Sequence, residues 1–316
     1  MYKRQVQGAY AAAAGIASAL HLDPARAAHA IAISGTAQNA LRVTRTGRLS
    51  HWKGLAYPNV AFGAIHAALL AMRGITGPLE VIEGRKGFME SIAGRFQIDW
   101  TREDLERVRQ TIVKKYNAEI HSQSAIEGIL ELGSEGAFQP ADIDRIVVDI
   151  FDVAFHIIGG GEEGAKIDVE TKEEADHSLP YLLAVAVIDG DVGPPQYRLD
   201  RIRRDDVQHL LRRVEIRPAE ALSRRFPREM GCAITVTLRN GHVLKKDKRD
   251  YEGFTTRPFS WQRAAEKLER LAPMMEASRR SDLLDVVWNL DQRPIADLAR
   301  VLEAVTQPTT ELHGAV

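Results

Sequence analysis

Apolar residues recur at helical spacing through the first part of the chain. Residues 5–20 and 24–40 are rich in Ala, with Val, Ile and Leu among them, and read as two packed helices. Asp23-Pro24 opens the second stretch, a capping residue before proline at the first helical position. Ala and Gly dominate both stretches and permit close helix–helix approach. A polar segment, 41–56, follows. Pro58 then opens a third apolar stretch, NVAFGAIHAALLAMRG, closed by Gly74. Residues 79–96 read as short helical pieces.

The pattern changes near 111–116. Residues 122–133 form an amphipathic helix, and 143–155 (IDRIVVDIFDVAF) has the β-branched content of a strand. Residues 171–190 are helical with an acidic first turn, and Pro180 starts or kinks the main part. Residues 210–218, 231–241 and 242–250 read as strands, with Asn240-Gly241 as a hairpin turn between the last two. From Trp261 the pattern is helical again, over 260–271, 278–290 and 294–305. This order predicts an all-helical domain with an inserted α+β domain. The helical domain spans 1–112, the insert 113–255, and 256–316 returns to the helical domain.

Composition narrows the function classes. The 316 residues are 45% hydrophobic and 27% charged, as in ordinary soluble globular proteins. The formal net charge of -1 supplies no bulk attraction to nucleic acid or to an anionic membrane. No run reads as long and apolar enough to span a membrane. The Ala-rich start reads as a packed helix rather than a signal peptide. It begins abruptly, as though the chain started in the middle of a larger fold. A lone cysteine, Cys232, excludes an intrachain disulfide and an iron–sulfur cluster held on several thiolates. It points to a reducing, cytoplasmic setting.

Positive charge is local. RVTRTGRLSHWKGLAYP, 42–58, gathers Arg42, Arg45, Arg48, His51 and Lys53 between two Ala-rich helical stretches. Such charge is costly between buried helices unless an anion meets it, which points to a small polyanionic acid. Two more polar segments stand out. KKYNAEIHSQS, 114–124, lies at the domain changeover, and ADHSLPY, 175–181, lies at a proline-interrupted helix start. Together they would put cations, an acid–base group and a phenol on both sides of an inter-domain cleft, a favoured ligand site. GGGEEGAK, 159–166, only superficially resembles a phosphate loop. No Ser or Thr follows its Lys, and Glu162 and Glu163 would repel a phosphate. It reads as a flexible acidic loop.

Three blocks, GTAQNALRVTRTGRLSHWKGLAYPNVAFGAIHAALLAMRGITGP, KKYNAEIHSQSAIE and ETKEEADHSLPYLLAVAVIDG, resemble successive blocks of the MmgE/PrpD family. That family includes 2-methylcitrate dehydratases, cis-aconitate decarboxylase and iminodisuccinate epimerase. The first two blocks resemble the bacterial 2-methylcitrate dehydratase branch most. The resemblance implies a helical domain with an α+β lid, a homodimer, no cofactor and no metal. It implies dehydration of a citrate-like hydroxy acid, 2-methylcitrate to 2-methylaconitate. Family members carry an earlier helical region with active-site Asp and His residues, so the resemblance also implies an N-terminally truncated member. A decarboxylase or epimerase acting on a related polycarboxylate, or a non-catalytic homologue, remain alternatives.

The resemblance implies catalytic roles for Lys53, His121 and Tyr181. Lys114 or Lys115 occupies a second family lysine position. Glu119 falls where the decarboxylase branch has a histidine. Arg42 and Arg45 are candidate carboxylate forks, and Gln123 and His177 complete the candidate substrate-binding set.

Overall fold

Small side chains at helical spacing produce three close-packed helices at the start of the chain. The computed structural model describes residues 4–39, 41–45, 49–99, 101, 104, 106–136 and 138–306. Helices α1 (Arg4–Ala19), α2 (Pro24–Ala37) and α3 (Trp52–Met72) pack against one another. Ala9, Ala13, Ala30, Ala64 and Ala68 are fully buried among them. Gly35 permits the close approach of α1, since a Cβ there would fall 2.4 Å from the Tyr10 ring. Asp23 caps α2 by accepting the Arg26 N–H at 3.0 Å.

Two expectations for α3 change. It begins at Trp52 rather than at Pro58, so Lys53 sits in a first helical turn rather than in a loop. Pro58 withholds one N–H from the ladder. Burial of Lys53 and Ala56 nonetheless holds the preceding turn in helical form. Among the described residues α3 is also long and apolar enough to cross a membrane by length and composition, with a mean hydropathy of 1.4 in its richest window. No such run was expected. Its Ala-rich face packs on α1 and α2, while Leu55, Phe62, Ile65 and Leu69 are exposed.

The second unit is built on a mixed four-stranded sheet. Strands β1 (Ile143–Ile150), β2 (Val214–Pro218), β3 (Cys232–Leu238) and β4 (Val243–Lys248) lie in the order β2-β1-β3-β4. β1 runs parallel to β2 and antiparallel to β3, and β3–β4 is the hairpin expected at Asn240-Gly241. Gly241 supplies the left-handed turn conformation at φ 84°. Period-two alternation buries Ile146, Val148 and Ile150 of β1 and Ile234 and Val236 of β3. The strand expected over 143–155 stops at Ile150. The Asp152 N–H turns to Ser223 Oγ, and the chain continues helically to Gly159. The strand expected over 210–218 starts only at Val214. Residues 210 and 211 end the helix Asp205–Leu211, and Val214 is the first β-branched residue of the stretch.

Helix α4 (Gln123–Gly136) and the helix Leu179–Asp189 cover the sheet. Gly128 lets α4 approach β3, because a Cβ there would lie 2.8 Å from Ile234 Cδ1. The helix Leu179–Asp189 is apolar nearly all round and almost wholly buried. The 159–166 segment is a loop beyond Gly159 in which Glu162 is exposed while Glu163 is buried, its N–H donating to the His156 carbonyl. The helix Trp261–Leu271 is tied to this unit. Lys267 donates to the Lys114 carbonyl, and Arg270 and Arg263 pair with Asp191 at 2.6 Å and Glu252 at 2.9 Å.

One buried carboxylate gathers distant segments. Glu127 of α4 meets Lys115 at 2.8 Å, Lys248 at 2.9 Å and Arg257 at 3.0 Å. Removing one partner of a buried ion pair strands the other charge. Glu127→Ala should therefore cost about 3 kcal/mol, at the low end because Lys248 keeps Glu131 at 2.6 Å. Urea unfolding of the variant against the parent measures this, and a loss under about 1 kcal/mol, the level of an exposed pair, would refute it.

Candidate active site

Lys53 links the two units. It projects from the first turn of α3 and is 7% exposed. Its Nζ donates to Asp176 Oδ1 at 2.5 Å and to the Glu173 carbonyl at 3.1 Å, and lies 2.8 Å from His177 Nδ1. Asp176 Oδ1 is also 2.5 Å from His177 Nδ1. One carboxylate oxygen therefore faces both the ammonium and the imidazole.

The turn that carries Asp176 and His177 is held by caps on both sides. Thr171 and Glu174 form a capping box on the short helix Lys172–Ala175. Ser178 Oγ then accepts the Tyr181 N–H and caps the helix Leu179–Asp189, with Pro180 in its first turn. The Glu119 N–H donates to the Asp176 carbonyl at 3.2 Å, which fastens the turn to the 116–122 segment. These contacts leave Asp176 and His177 little freedom to reorient.

A cavity of about 610 Å³ opens at this junction. The helical unit contributes Gln7, Lys53 and Tyr57, and the α+β unit contributes Lys114, Lys172, Glu173, Asp176 and His177. Three ammonium groups face two carboxylates there, a balance that suits an anionic guest. Burial opposes ionisation of Asp176. The His177 and Lys53 contacts outweigh it and hold the carboxyl well below the ordinary range. Burial, helped by Lys53, lowers the His177 pKa against the pull of Asp176 and Glu119. A second cavity, about 230 Å³, lies on the other side of the turn against Leu49, Lys166, Glu174 and Ser178. Among the described residues no group of three or more His, Cys, Asp or Glu side chains is placed to hold a metal ion.

The remaining candidates divide sharply. Lys114 lines the larger cavity, whereas Lys115 turns away to Glu127 and to Glu252 at 3.0 Å. Glu119 and His121 form a separate pair beside the turn. Glu119 accepts the His121 N–H at 2.6 Å and meets His121 Nδ1 at 2.9 Å, and the His121 ring packs on Phe151 and Phe226. Arg42 and Arg45 lie on a 3-10 turn; their side chains, and all of Arg48, fall outside the described residues.

Two placements correct the sequence reading. Gln123 is fully buried: its Oε1 accepts the Tyr116 N–H at 2.9 Å and its amide donates to backbone carbonyls of 116–119. It shapes the loop rather than facing the cavity, because those backbone groups would otherwise be left unpaired. Tyr181 is also fully buried, and its hydroxyl donates to the Gln196 carbonyl. Burial raises its pKa well above the ordinary phenol range. Gln7, Tyr57, Lys172, Glu173 and Asp176 are polar cavity residues that the candidate set lacked. The adjacent Asp-His pair in ADHSLPY is the signal that could have found Asp176.

The fold defines a helical unit joined to a mixed α+β unit with a cationic cleft at the join. Models of the MmgE/PrpD N-terminal domain and C-terminal domain match residues 2–101 and 116–292 respectively. The chain belongs to the MmgE/PrpD family. It is similar to the cis-aconitate decarboxylase of Mus musculus, 26% identical over 281 residues that cover 84% of this chain and 54% of that protein. It is also similar to the Homo sapiens cis-aconitate decarboxylase, 25% identical over 302 residues that cover 90% of this chain and 59% of that protein. The chain spans about half the length of the curated relatives it matches.

Glu119 carries a pH signature. Burial raises its pKa, but His121 outweighs that and brings it from the ordinary 4.5 down to about 2. The folded state then binds this proton less readily than the unfolded state. The stability it contributes is full above about pH 4.5 and is lost as pH falls toward about 2. In Glu119→Gln, the slope of unfolding free energy against pH over that window should become shallower by up to one proton. Denaturant titrations at a series of pH values measure it; an unchanged slope would mean that Glu119 titrates normally in the folded chain.

Proposed function

We propose that this chain forms the cationic wall and acid–base centre of a lyase acting on a citrate-like polycarboxylate. The foremost candidate reaction is dehydration of 2-methylcitrate to 2-methylaconitate. The observation that carries the reading is Lys53, buried at the unit junction beside Asp176 and His177, in a cavity shared with Lys114 and Lys172. Eliminating water from such an acid requires removing a weakly acidic proton next to a carboxylate and protonating the departing oxygen. Fixed ammonium groups neutralise the growing carboxylate charge, and a positioned acid–base pair moves the two protons. Lys114 and Lys172 would hold carboxylates, and Lys53 and His177 would exchange protons with the substrate. In this reading the α+β unit serves as a lid over the helical unit, and the active form is a homodimer in the cytoplasm.

A second reading is decarboxylation of an unsaturated tricarboxylate, favoured by the named activity of the two relatives. The same cations would hold the acid, but a carbon–carbon bond would break and a carbanion would need a proton. Purified protein presented with 2-methylcitrate, citrate, cis-aconitate and iminodisuccinate separates the readings by product. A new conjugated acid without gas release supports dehydration, and released carbon dioxide supports decarboxylation. No turnover of any of the four overturns both.

Lys53→Ala should lower kcat on the substrate that turns over by about 10²–10⁴-fold, the usual loss for a positioned acid–base group. Parent-level turnover in a folded Lys53→Ala variant would remove Lys53 from the reaction.

A further inference from the structure

Lys53 Nζ, Asp176 Oδ1 and His177 Nδ1 form a closed triangle with sides of 2.5, 2.5 and 2.8 Å. Each side is short enough to need a proton between its atoms. With Lys53 charged, Asp176 ionised and His177 neutral, only two sides receive one. The Lys53–Asp176 side takes an ammonium proton. The other proton lies either on the Asp176–His177 side, carried by Nδ1, or on the Lys53–His177 side, donated by Lys53 to a bare Nδ1.

These alternatives are not equivalent. A bare Nδ1 would set its lone pair against a carboxylate oxygen only 2.5 Å away. A protonated Nδ1 faces an ammonium at the longer distance of 2.8 Å, and that ammonium directs protons to Asp176 and to the Glu173 carbonyl instead. The shorter side needs the proton more. The imidazole then carries hydrogen on Nδ1 and a lone pair on Nε2. His177 lines the cavity, and among the described residues its Nε2 has no hydrogen-bond partner.

We propose that Asp176 is a positioning residue that locks His177 in the Nδ1–H tautomer, so that Nε2 is the proton acceptor for the reaction and Lys53 the proton donor. This rests on the lyase reading and assigns the two halves of its chemistry. Nε2 takes a proton from the carbon next to a carboxylate, and the C–H electron pair forms the new double bond. The β C–O bond breaks, its electrons leave with oxygen, and a Lys53 proton converts the departing hydroxide to water. The imidazolium then releases its Nε2 proton to solvent and Lys53 takes one from solvent, which restores the resting charges and the Nδ1–H tautomer. Asp176 stabilises the imidazolium in between, as a buried carboxylate does when it orients a catalytic histidine. Besides Lys53 of α3, the charged groups that face His177 among the described residues are Asp176 and Glu119 of the 116–122 segment, with Lys172, whose Nζ lies 3.3 Å from Asp176 Oδ2, Glu173 and Lys114 lining the same cavity.

The tautomer is measurable without any substrate. In the full chain labelled with ¹⁵N-histidine, long-range ¹H–¹⁵N correlation reads both ring nitrogens, and His177→Gln assigns the His177 signals. A protonated Nδ1 with a bare Nε2 is the expected result; hydrogen on Nε2 in the parent would overturn the proposal even if the enzyme turns over its substrate. Asp176→Asn should lower kcat by about 10²–10⁴-fold with KM little changed, and the acid limb of the kcat/KM profile should move to lower pH because the imidazolium loses its anion. Asp176→Glu should recover part of the rate. Unchanged kcat in Asp176→Asn, or a loss confined to KM, would contradict the positioning role. A parent that turns over no polycarboxylate sinks the lyase reading, and the tautomer measurement then still decides whether Asp176 sets the imidazole.

Discussion

A lysine ammonium taken out of water has to be met by an anion, and the junction of this molecule is organised around that requirement. Lys53 is 7% exposed on a helix whose other buried residues are Val60 and five alanines. Its counter-charge, the Asp176 carboxylate, and a second acceptor, the Glu173 carbonyl, come from more than a hundred residues away. An uncompensated buried charge costs several kcal/mol, so α3 and the 172–178 turn hold each other in place. The cavity lies where the two meet, and the contact that joins the units also lines the site.

The turn is fixed before any ligand arrives. Caps at Thr171 and Ser178 hold its two flanking helices, and the Glu119 N–H holds the Asp176 carbonyl. Gln123 in turn shapes the segment that contains Glu119. Preorganised groups need no rearrangement as charge develops in a reaction. Polar residues that resemble catalytic ones are therefore spent on shape, as Gln123 and Tyr181 are, while the reactive face narrows to Lys53, Asp176, His177 and the neighbouring lysines.

Much of this fold was legible along the chain because the signals are local. The Asp23-Pro24 helix start, the Asn240-Gly241 hairpin and the largely apolar helix after Ser178 each depend on neighbours within a few residues. The errors fell where long-range packing overrides local preference. Pro58 reads as a helix start, yet burial of Lys53 and Ala56 extends the helix back to Trp52. The β-branched run after Asp142 reads as one long strand, yet its ladder partners end at Ile150.

The site divides the same way. Sequence alone marked Lys53, the 114–124 segment and the 175–181 segment as the chemistry-bearing regions, because charge between apolar stretches is unusual wherever the chain later goes. It could not tell Lys114 from Lys115, since adjacent residues outside regular structure point in different directions, and one turned to the buried Glu127. Nor could it tell that Asp176 rather than Tyr181 would meet Lys53. That choice belongs to tertiary structure, because the direction of a side chain in a capped turn, and the partner that a buried charge finds, are set by the packing of two units far apart in sequence.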